Sequence, residues 1–298
     1  MRSSMEKILV VGAGFMGSGI AQVCAQKGNL VFLTDAERSA IDNAINGIRW
    51  SLGRLAEKGS IKESPETVLK RIIPQYSIQK ANEADWIIEA VPELEDLKKN
   101  LFAELDSIAP SKTIIASNTS SIPISSLAAA TGRPDRVLGL HFFGPVPLMR
   151  LVEVVKGELT SDEVFERGAA FAVSLGKIPV RVTRDIPGFV MNRIFTAAFR
   201  EALDLVDKGI VSPAEVDIGM REGYGWKAGP FEIADNAGLD TIELIGKALA
   251  SLGEGQLSPK GDLLTRMLKE GKLGKKTGKG FYCYDSAGRR LPGQASFS

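Results

Sequence analysis

The sequence predicts an α/β fold, in which a doubly wound and mostly parallel sheet is followed by a second, all-helical domain. Short β-branched runs alternate with helical stretches as far as about Arg184, and this alternation is typical of a sheet covered by helices on both faces. Many of the runs are apolar throughout, as strands buried on both sides are. Beyond Asp185 helical spacing takes over, so we predict domains at residues 1–184 and 185–298.

The elements of the first domain follow from these two periodicities. The predicted strands are Ile8–Val11, Leu30–Thr34, Trp86–Val91, Thr113–Ala116, Val137–Leu140, Leu151–Val155 and Pro179–Val182. The predicted helices are Met16–Lys27, Ala36–Lys58, Glu66–Ile73, Leu94–Ile108 and Ser161–Leu175. Helices therefore stand between most successive strands, as parallel pairing requires.

The second domain begins at the pair Pro187-Gly188, after which apolar residues recur at helical spacing. The predicted helices are Phe189–Lys208, Pro213–Arg221, Pro230–Leu252 and Lys260–Lys269. One short strand is predicted at Phe281–Tyr284, and Ala287–Ser298 is predicted to be a loose tail.

Composition narrows the classes of protein to which the chain can belong. With 44% hydrophobic and 24% charged residues it is an ordinary globular sequence, and a net charge of +1 argues against a nucleic-acid-binding surface. One histidine and two cysteines argue against a His/Cys metal centre, so no metal is predicted. No apolar run approaches the roughly 20 residues that span a bilayer, and no signal peptide precedes the first strand. We therefore expect a cytoplasmic protein.

A glycine-rich turn, Gly12-Ala13-Gly14-Phe15-Met16-Gly17, follows the first predicted strand and opens the first helix. In a Rossmann-type fold the first glycine permits the turn, the second admits a pyrophosphate and the third lets helix and strand pack closely. The helix N-terminus then offers N–H groups to the phosphates. A turn that serves packing alone is the alternative. The flanking strand and helix favour dinucleotide binding, because the motif requires both.

An acid, Asp35, ends the second predicted strand, about 20 residues after the glycine turn. In this position a carboxylate receives the ribose 2′-hydroxyl and repels a 2′-phosphate, so the predicted cofactor is NAD. Arg38 follows closely in the sequence and keeps NADP open as the alternative.

The only histidine of the chain, His141, ends the apolar strand Val137–Leu140, at the sheet edge where ligands bind in such folds. Imidazole suits proton transfer near neutrality, so His141 is the candidate general base of a dehydrogenase. A lone histidine is often only a polar residue with satisfied hydrogen bonds, but the rigid segment His141–Pro147, with two aromatic residues and two prolines, favours a functional role.

A second candidate, Glu153, lies within the apolar strand Leu151–Val155. A carboxylate in such a run is rarely buried without a partner. Pairing with His141 would satisfy the carboxylate and fix the tautomer of the imidazole. The alternative is an edge-strand residue that faces water.

With these residues in place, the sequence resembles the L-3-hydroxyacyl-CoA dehydrogenase family, and the bacterial 3-hydroxybutyryl-CoA dehydrogenases in particular. The resemblance covers nearly the whole chain, from the Gly12 turn to Tyr284. Its blocks are GAGFMGSGIAQ at Gly12–Gln22, EAVPE at Glu89–Glu93, SNTSS at Ser117–Ser121, HFFGPVP at His141–Pro147, LVEVV at Leu151–Val155, DIPGFVMNR at Asp185–Arg193, GPFEIADNAGLDT at Gly229–Thr241 and KKTGKGFY at Lys275–Tyr282.

The resemblance implies NAD-dependent oxidation of a 3-hydroxyacyl-CoA to the 3-ketoacyl-CoA, and the reverse reduction. It makes His141 the general base and Glu153 its orienting carboxylate. Ser120 would contact the substrate oxygen and the nicotinamide region, and Asn192 would complete the substrate pocket. The second domain would also form a homodimer.

The resemblance also implies further binding residues. Glu93 and Lys98 would lie near the nicotinamide ribose, and Lys276 would reach the cofactor from the C-terminal segment. Ser51 and Lys58 match positions that contact the coenzyme A arm. The alternative for these last two is an ordinary solvated helix face.

One position departs from the family pattern. The family usually has an asparagine where Gly144 stands, with its side chain near the nicotinamide and the substrate. Gly144 is expected to leave extra room there and to alter affinity or chain-length preference. Two other functions stay open on these residues: a dehydrogenase of a 3-hydroxy acid without coenzyme A, and an NAD-binding protein that has lost its chemistry.

Overall fold

The computed structural model of the protein describes residues 5–259 and 261–295. The chain divides into two units, one ending at Ile186 and the other beginning at Pro187. Within the described ranges, no helix combines the length and the apolar character needed to cross a membrane.

The first unit is built on one eight-stranded sheet. Its strands are β1 (Lys7–Val11), β2 (Leu30–Thr34), β3 (Ile72–Gln75), β4 (Trp86–Glu89), β5 (Ile114–Ser117), β6 (Val137–Phe142), β7 (Leu151–Val155) and β8 (Ile178–Val182). Its helices are α1 (Phe15–Gln26), α2 (Arg38–Glu57), α3 (Pro65–Leu69), α4 (Glu95–Ile108), α5 (Ile124–Ala128) and α6 (Asp162–Ser174). The α/β prediction, with a mostly parallel, doubly wound sheet, is confirmed.

The strand order β3-β2-β1-β4-β5-β6-β7-β8 reverses direction between β1 and β4. All neighbours are parallel except β6 and β7. Val11 and Glu89 stand side by side at the ends of β1 and β4. Ligands of such sheets bind beyond the carboxyl ends of the strands at this reversal, so the glycine turn lies where a nucleotide is expected.

The predicted helix Glu66–Ile73 is only partly correct. The helix ends at Leu69, and Ile72 and Ile73 belong to strand β3, which pairs in parallel with β2. Two β-branched residues favour a strand, and Pro74 is tolerated because β3 is at the edge of the sheet.

The second unit contains five α-helices and a small two-stranded sheet among its described residues. These are α7 (Met191–Asp207), α8 (Pro213–Tyr224), α9 (Pro230–Ala237), α10 (Leu239–Ser251), α11 (Asp262–Lys269), β9 (Tyr282–Tyr284) and β10 (Arg290–Ala295). Phe199, Phe231 and Phe281 form its buried centre and meet edge to face, with ring centroids 4.6–6.0 Å apart. Lys260, the first residue of one predicted helix, lies outside the described residues.

The prediction of a single helix at Pro230–Leu252 is wrong, because the helix is interrupted at Gly238, between α9 and α10. This glycine has a φ of 96°, which a helix does not allow. A Cβ there would also lie 2.8 Å from an oxygen of Asp240 and 3.0 Å from the Nζ of Lys276. The apolar periodicity continues across the break, so the pattern alone did not show it.

The predicted loose tail, Ala287–Ser298, is wrong in its described part. Residues 290–295 form β10, antiparallel to β9, so the second domain is helical apart from this hairpin. The hairpin turn is closed by Asp285, whose N–H donates to the carbonyl of Arg289 at 2.9 Å. Gly288 supplies a φ of 71°, the left-handed conformation that such turns need. Residues 296–298 lie outside the described ranges.

Candidate active site

The glycine turn has the geometry that dinucleotide binding requires. Gly12 has a φ of 105°, and a Cβ on Gly17 would lie 1.8 Å from the carbonyl oxygen of Gly12. A Cβ on Gly14 would meet no atom of the described residues within 4 Å. The turn therefore presents open backbone at the N-terminus of α1, where a phosphate is favoured. The residues present fit a dinucleotide.

Asp35 lies beside this turn. One of its oxygens accepts a hydrogen bond from the N–H of Ala13 at 2.6 Å, and the other accepts from the N–H of Glu37 at 3.0 Å. Arg38 stacks over the ring of Tyr76 at 4.4 Å. Asp35 is thus fixed next to the glycine turn. Arg38, the residue that left NADP as an alternative cofactor, is stacked on an aromatic ring.

A buried ion pair lies at the carboxyl end of β4. The Oε1 atom of Glu89 accepts hydrogen bonds from the Nζ of Lys98 at 2.5 Å and from the N–H of Val91 at 2.7 Å. Its Oε2 accepts from the hydroxyl of Ser117 at 2.6 Å. The Nζ of Lys98 also lies 3.2 Å from an oxygen of Glu93. Lys98 therefore bridges two carboxylates from a position that is only 1% exposed.

Glu93 ties this ion pair to the turn that carries Ser120. Its Oε1 accepts hydrogen bonds from the hydroxyl of Thr119 at 2.5 Å and from the N–H groups of Ser120 and Ser121 at 3.0 and 3.2 Å. Burial raises the pKa of Glu93, but the charge of Lys98 and these hydrogen bonds outweigh it and lower the pKa overall. The carboxylate stays ionised and holds the turn in place.

His141 and Glu153 lie directly opposite each other on the antiparallel strands β6 and β7. The Nδ1 atom of His141 is 2.7 Å from Oε2 of Glu153, so the pairing expected from the sequence is present. Glu153 is fully buried and His141 is 7% exposed. The ring of Phe143 packs on the imidazole with centroids 4.6 Å apart. A fixed imidazole at the carboxyl end of a strand can exchange a proton with a ligand held at that edge.

The room expected beside Gly144 is already filled. A Cβ on Gly144 would lie 2.6 Å from Cε1 of Phe15 and 3.3 Å from Sδ of Met16. The ring of Phe15, which is 69% exposed, therefore occupies the space that a side chain at position 144 would need. The expectation of extra room is wrong, because the glycine turn supplies an aromatic ring from elsewhere in the sequence.

Sequence analysis missed two residues of this site. Glu89 carries the same signal as Glu153, an acid within an apolar strand, and was not singled out. The side-chain oxygen of Asn118 accepts a hydrogen bond from the N–H of Phe142 at 2.9 Å, which joins the end of β5 to the residue after His141. Asn118 lies within the block Ser117–Ser121, but the sequence does not indicate its role, because its partner is 24 residues away.

The other candidate residues lie in α2, just after it, and in the second unit. Ser51 is half-buried in α2, and Lys58 follows the last residue of that helix and is exposed. In the second unit, Asn192 is half-buried in the first turn of α7. Lys276 lies 2.6 Å from both carboxylate oxygens of Asp240. The structure thus assembles three groups of candidate residues in the first unit: His141 with Glu153, the glycine turn with Asp35, and Ser120 with Glu93 and Lys98.

Comparison with known proteins places this geometry in a family. The family described as "3-hydroxyacyl-CoA dehydrogenase, NAD binding domain" matches residues 7–186, and "3-hydroxyacyl-CoA dehydrogenase, C-terminal domain" matches residues 188–284. A probable 3-hydroxybutyryl-CoA dehydrogenase of Deinococcus radiodurans is 44% identical, over 93% of this chain and 100% of the relative. The mitochondrial hydroxyacyl-coenzyme A dehydrogenase of Homo sapiens is 40% identical, over 94% of this chain and 91% of the relative.

Solved structures agree with the sequence comparison. The crystal structure of (S)-3-hydroxybutyryl-CoA dehydrogenase PaaH1 from Ralstonia eutropha matches with a TM-score of 0.87 and 39% identity. The match covers 95% of this chain and 100% of that one. Because both family domains match in order and span most of the chain, the protein belongs to the 3-hydroxyacyl-CoA dehydrogenase family.

Proposed function

We propose that the protein oxidises (S)-3-hydroxyacyl-CoA, such as 3-hydroxybutyryl-CoA, to the 3-ketoacyl-CoA and catalyses the reverse reduction, with His141 as general base. The protein is an NAD-dependent oxidoreductase of this family. The observation that supports the choice of base is the buried His141–Glu153 pair at the carboxyl edge of the sheet.

The geometry of the pair assigns a task to each atom. Because Nδ1 of His141 faces Glu153, proton exchange with the substrate hydroxyl uses Nε2. The imidazole becomes positive when it takes that proton, and the buried carboxylate stabilises the positive form. Glu153 also fixes the orientation of the ring, as a carboxylate does when it hydrogen-bonds to the ring nitrogen that is not used in the chemistry. In the reverse direction the protonated imidazole returns the proton to the ketone oxygen.

NAD, when bound, supplies the acceptor for the hydride that leaves C3 of the substrate. Gly12–Gly17 would hold its pyrophosphate, and Asp35 would hold the adenosine ribose. Glu93 would lie near the nicotinamide ribose. The ammonium of Lys98 is directed at Glu89, Glu93 and the carbonyl of Val91, which supports a positioning role through Glu93 for this lysine.

The remaining residues are assigned to the substrate and the assembly. Ser120 and Asn192 would contact the reacting end of the acyl group, Ser51 and Lys58 the coenzyme A arm, and Lys276 the cofactor. In this proposal residues 1–184 bind NAD, and residues 185–298 complete the substrate pocket and form a homodimer. The setting would be fatty-acid metabolism in the cytoplasm.

The first experiment follows NADH and NADPH absorbance with acetoacetyl-CoA or free acetoacetate as substrate, for the wild type and His141→Ala. We expect oxidation of NADH in preference to NADPH with acetoacetyl-CoA, and little with free acetoacetate. His141→Ala should lose about 10²–10⁴ in turnover while it still binds NADH. Near-normal turnover in His141→Ala would exclude this base. Activity with free acetoacetate alone would point to a substrate without coenzyme A.

A further inference from the structure

A cavity of about 520 Å³ lies in the first unit, and its lining does not include the glycine turn. It is bordered by the end of α1, the loop after α2, the segment between β6 and β7, and the turn before β8. Its basic lining residues are Lys27, Lys62, Arg150 and Lys177. We call it the basic cavity. Its volume is in the range of small-molecule sites.

The basic side chains of this cavity form no ion pairs with the acid in its described lining. Among the described residues, no carboxylate lies within ion-pair distance of Lys27, Lys62 or Arg150. Glu63, the one acid in the described lining, pairs with Arg71 at 2.7 Å. Concave surfaces lined by one sign of charge concentrate ions of the opposite sign. The cavity therefore favours an anion.

Lys177 is a buried lining residue that is held by hydrogen bonds to the backbone. It is 8% exposed, and its Nζ donates hydrogen bonds to the carbonyl oxygens of Val146 and, at 2.7 Å, Met149. Burial lowers the pKa of Lys177, and the neighbouring charge of Lys27 acts in the same direction. The two carbonyl contacts fix the segment between β6 and β7 and so set the position of Arg150.

The same segment connects the cavity to the active site in sequence. It begins after His141 and Phe142 at the end of β6 and leads into β7, which carries Glu153. Val146 packs against α1, where a Cβ on Gly19 would lie 2.9 Å from its Cβ. The segment between β6 and β7 thus leads from the strand that carries His141 to the strand that carries Glu153, and some of its residues line the cavity.

We propose that the basic cavity binds a phosphate group, through Arg150, Lys62 and Lys27. This inference builds on the proposed function, because coenzyme A carries a diphosphate and a 3′-phosphate that the acyl-CoA substrate would bring. Arginine and lysine suit phosphate, arginine by paired hydrogen bonds and lysine as a point charge. A free phosphate compound offers the same chemistry. Ser51 and Lys58 do not line the cavity, so its residues differ from those assigned to the coenzyme A arm.

The test compares acetoacetyl-CoA, its 3′-dephospho form and acetoacetyl-pantetheine in NADH-dependent reduction. The variants are Arg150→Gln and Lys62→Gln. Lys112→Gln is the control, because it removes the same charge from an exposed lysine that lies just before β5, outside the cavity. We expect each cavity variant to raise KM for acetoacetyl-CoA about ten-fold, as loss of a charged hydrogen bond does, with kcat unchanged. KM for acetoacetyl-pantetheine should stay the same.

A second measurement distinguishes coenzyme A from a free phosphate compound as the source of the phosphate group. It is the binding of inorganic phosphate, followed by calorimetry without substrate, and it does not depend on the proposed activity. Phosphate binding that is lost in both variants, with an unchanged KM for acetoacetyl-CoA, would assign the cavity to a free phosphate compound. If the cavity variants match the wild type and Lys112→Gln in both KM and phosphate binding, the proposal is overturned. A wild type that binds phosphate but does not reduce acetoacetyl-CoA would reject the proposed function and keep the site.

Discussion

The carboxylate of Glu153 faces the imidazole of His141 across one antiparallel pair of strands, in an otherwise parallel sheet. The antiparallel turn of the chain between β6 and β7 creates this pairing, because it returns the chain beside the end of β6. Directly opposite residues in such pairs have neighbouring Cβ atoms. Because both side chains are buried, this hydrogen bond helps to compensate the charge of the carboxylate.

The first prediction concerns Glu153→Gln. The amide keeps the shape of the side chain but removes the charge that stabilises the imidazolium. We expect turnover to fall about 10–100-fold, the range found when the carboxylate partner of a metal-bound histidine is changed. NADH affinity should not change. Steady-state kinetics over a pH series and thermal unfolding provide the measurements. Wild-type turnover in this variant would show that Glu153 is only a structural partner.

The second prediction concerns the contact of Phe15 with Gly144. In Gly144→Ala the new Cβ displaces the ring, and since the ring is exposed, we expect weaker NADH binding with little loss of thermal stability. Leucine at position 15 lacks the contacting Cε1 and Cζ atoms, so Gly144→Ala should be neutral in a Phe15→Leu background. The four dissociation constants, from fluorescence titration, should give a coupling free energy of about 0.5–3 kcal/mol. Additive effects would mean that the ring and the glycine act independently.

The third prediction concerns the buried ion pair of Lys98 and Glu89. Lys98→Met leaves the carboxylate of Glu89 buried without its counter-charge, which should cost about 3–5 kcal/mol of unfolding free energy. Lys99→Met is the matched control, because Lys99 forms a half-exposed pair with Glu95 on the same helix and should change stability by less than about 1 kcal/mol. Adding Glu89→Gln to Lys98→Met should recover part of the loss. Equal stability of the two lysine variants would contradict this account.

The sequence was most informative where one short segment sets the geometry. The glycine turn and Asp35 follow a local motif, and Glu153 could be paired with His141 because an acid in an apolar strand needs a partner. Phe15 and Gly144 meet only through the tertiary fold, so their contact had no sequence signal. The break at Gly238 was hidden for a different reason, because the apolar period of the two helices continues across the glycine.

Two buried carboxylates fasten β9 to the helices of the second unit. Asp235 accepts hydrogen bonds from the N–H groups of Phe281 and Tyr282 at 2.8 and 2.9 Å. Asp217 accepts from the hydroxyl of Tyr282 at 2.6 Å. Burial raises the pKa of Asp235 to about 6 and raises that of Asp217 as well. Burial thus outweighs the hydrogen bonds at both carboxyl groups.

The fourth prediction is that Asp235 makes the stability of the protein depend on pH between about pH 4 and 6. Its carboxyl group ionises near 3.8 in the unfolded chain and near 6 in the folded one. Between these values the folded state binds more protons, so this group lowers the unfolding free energy as pH rises from about 4 to 6. Asp235→Asn removes the titration. The stability of the wild type relative to this variant should therefore be greater at pH 5 than at pH 7.5, by about 1–3 kcal/mol. Asp240→Asn should show no such difference between pH 5 and pH 7.5, since Lys276 outweighs burial and lowers the pKa of Asp240 from 3.8, so that this carboxyl group is ionised in both states over this range. A wild-type advantage over Asp235→Asn that is equal at both pH values would show that this carboxyl group is ionised throughout.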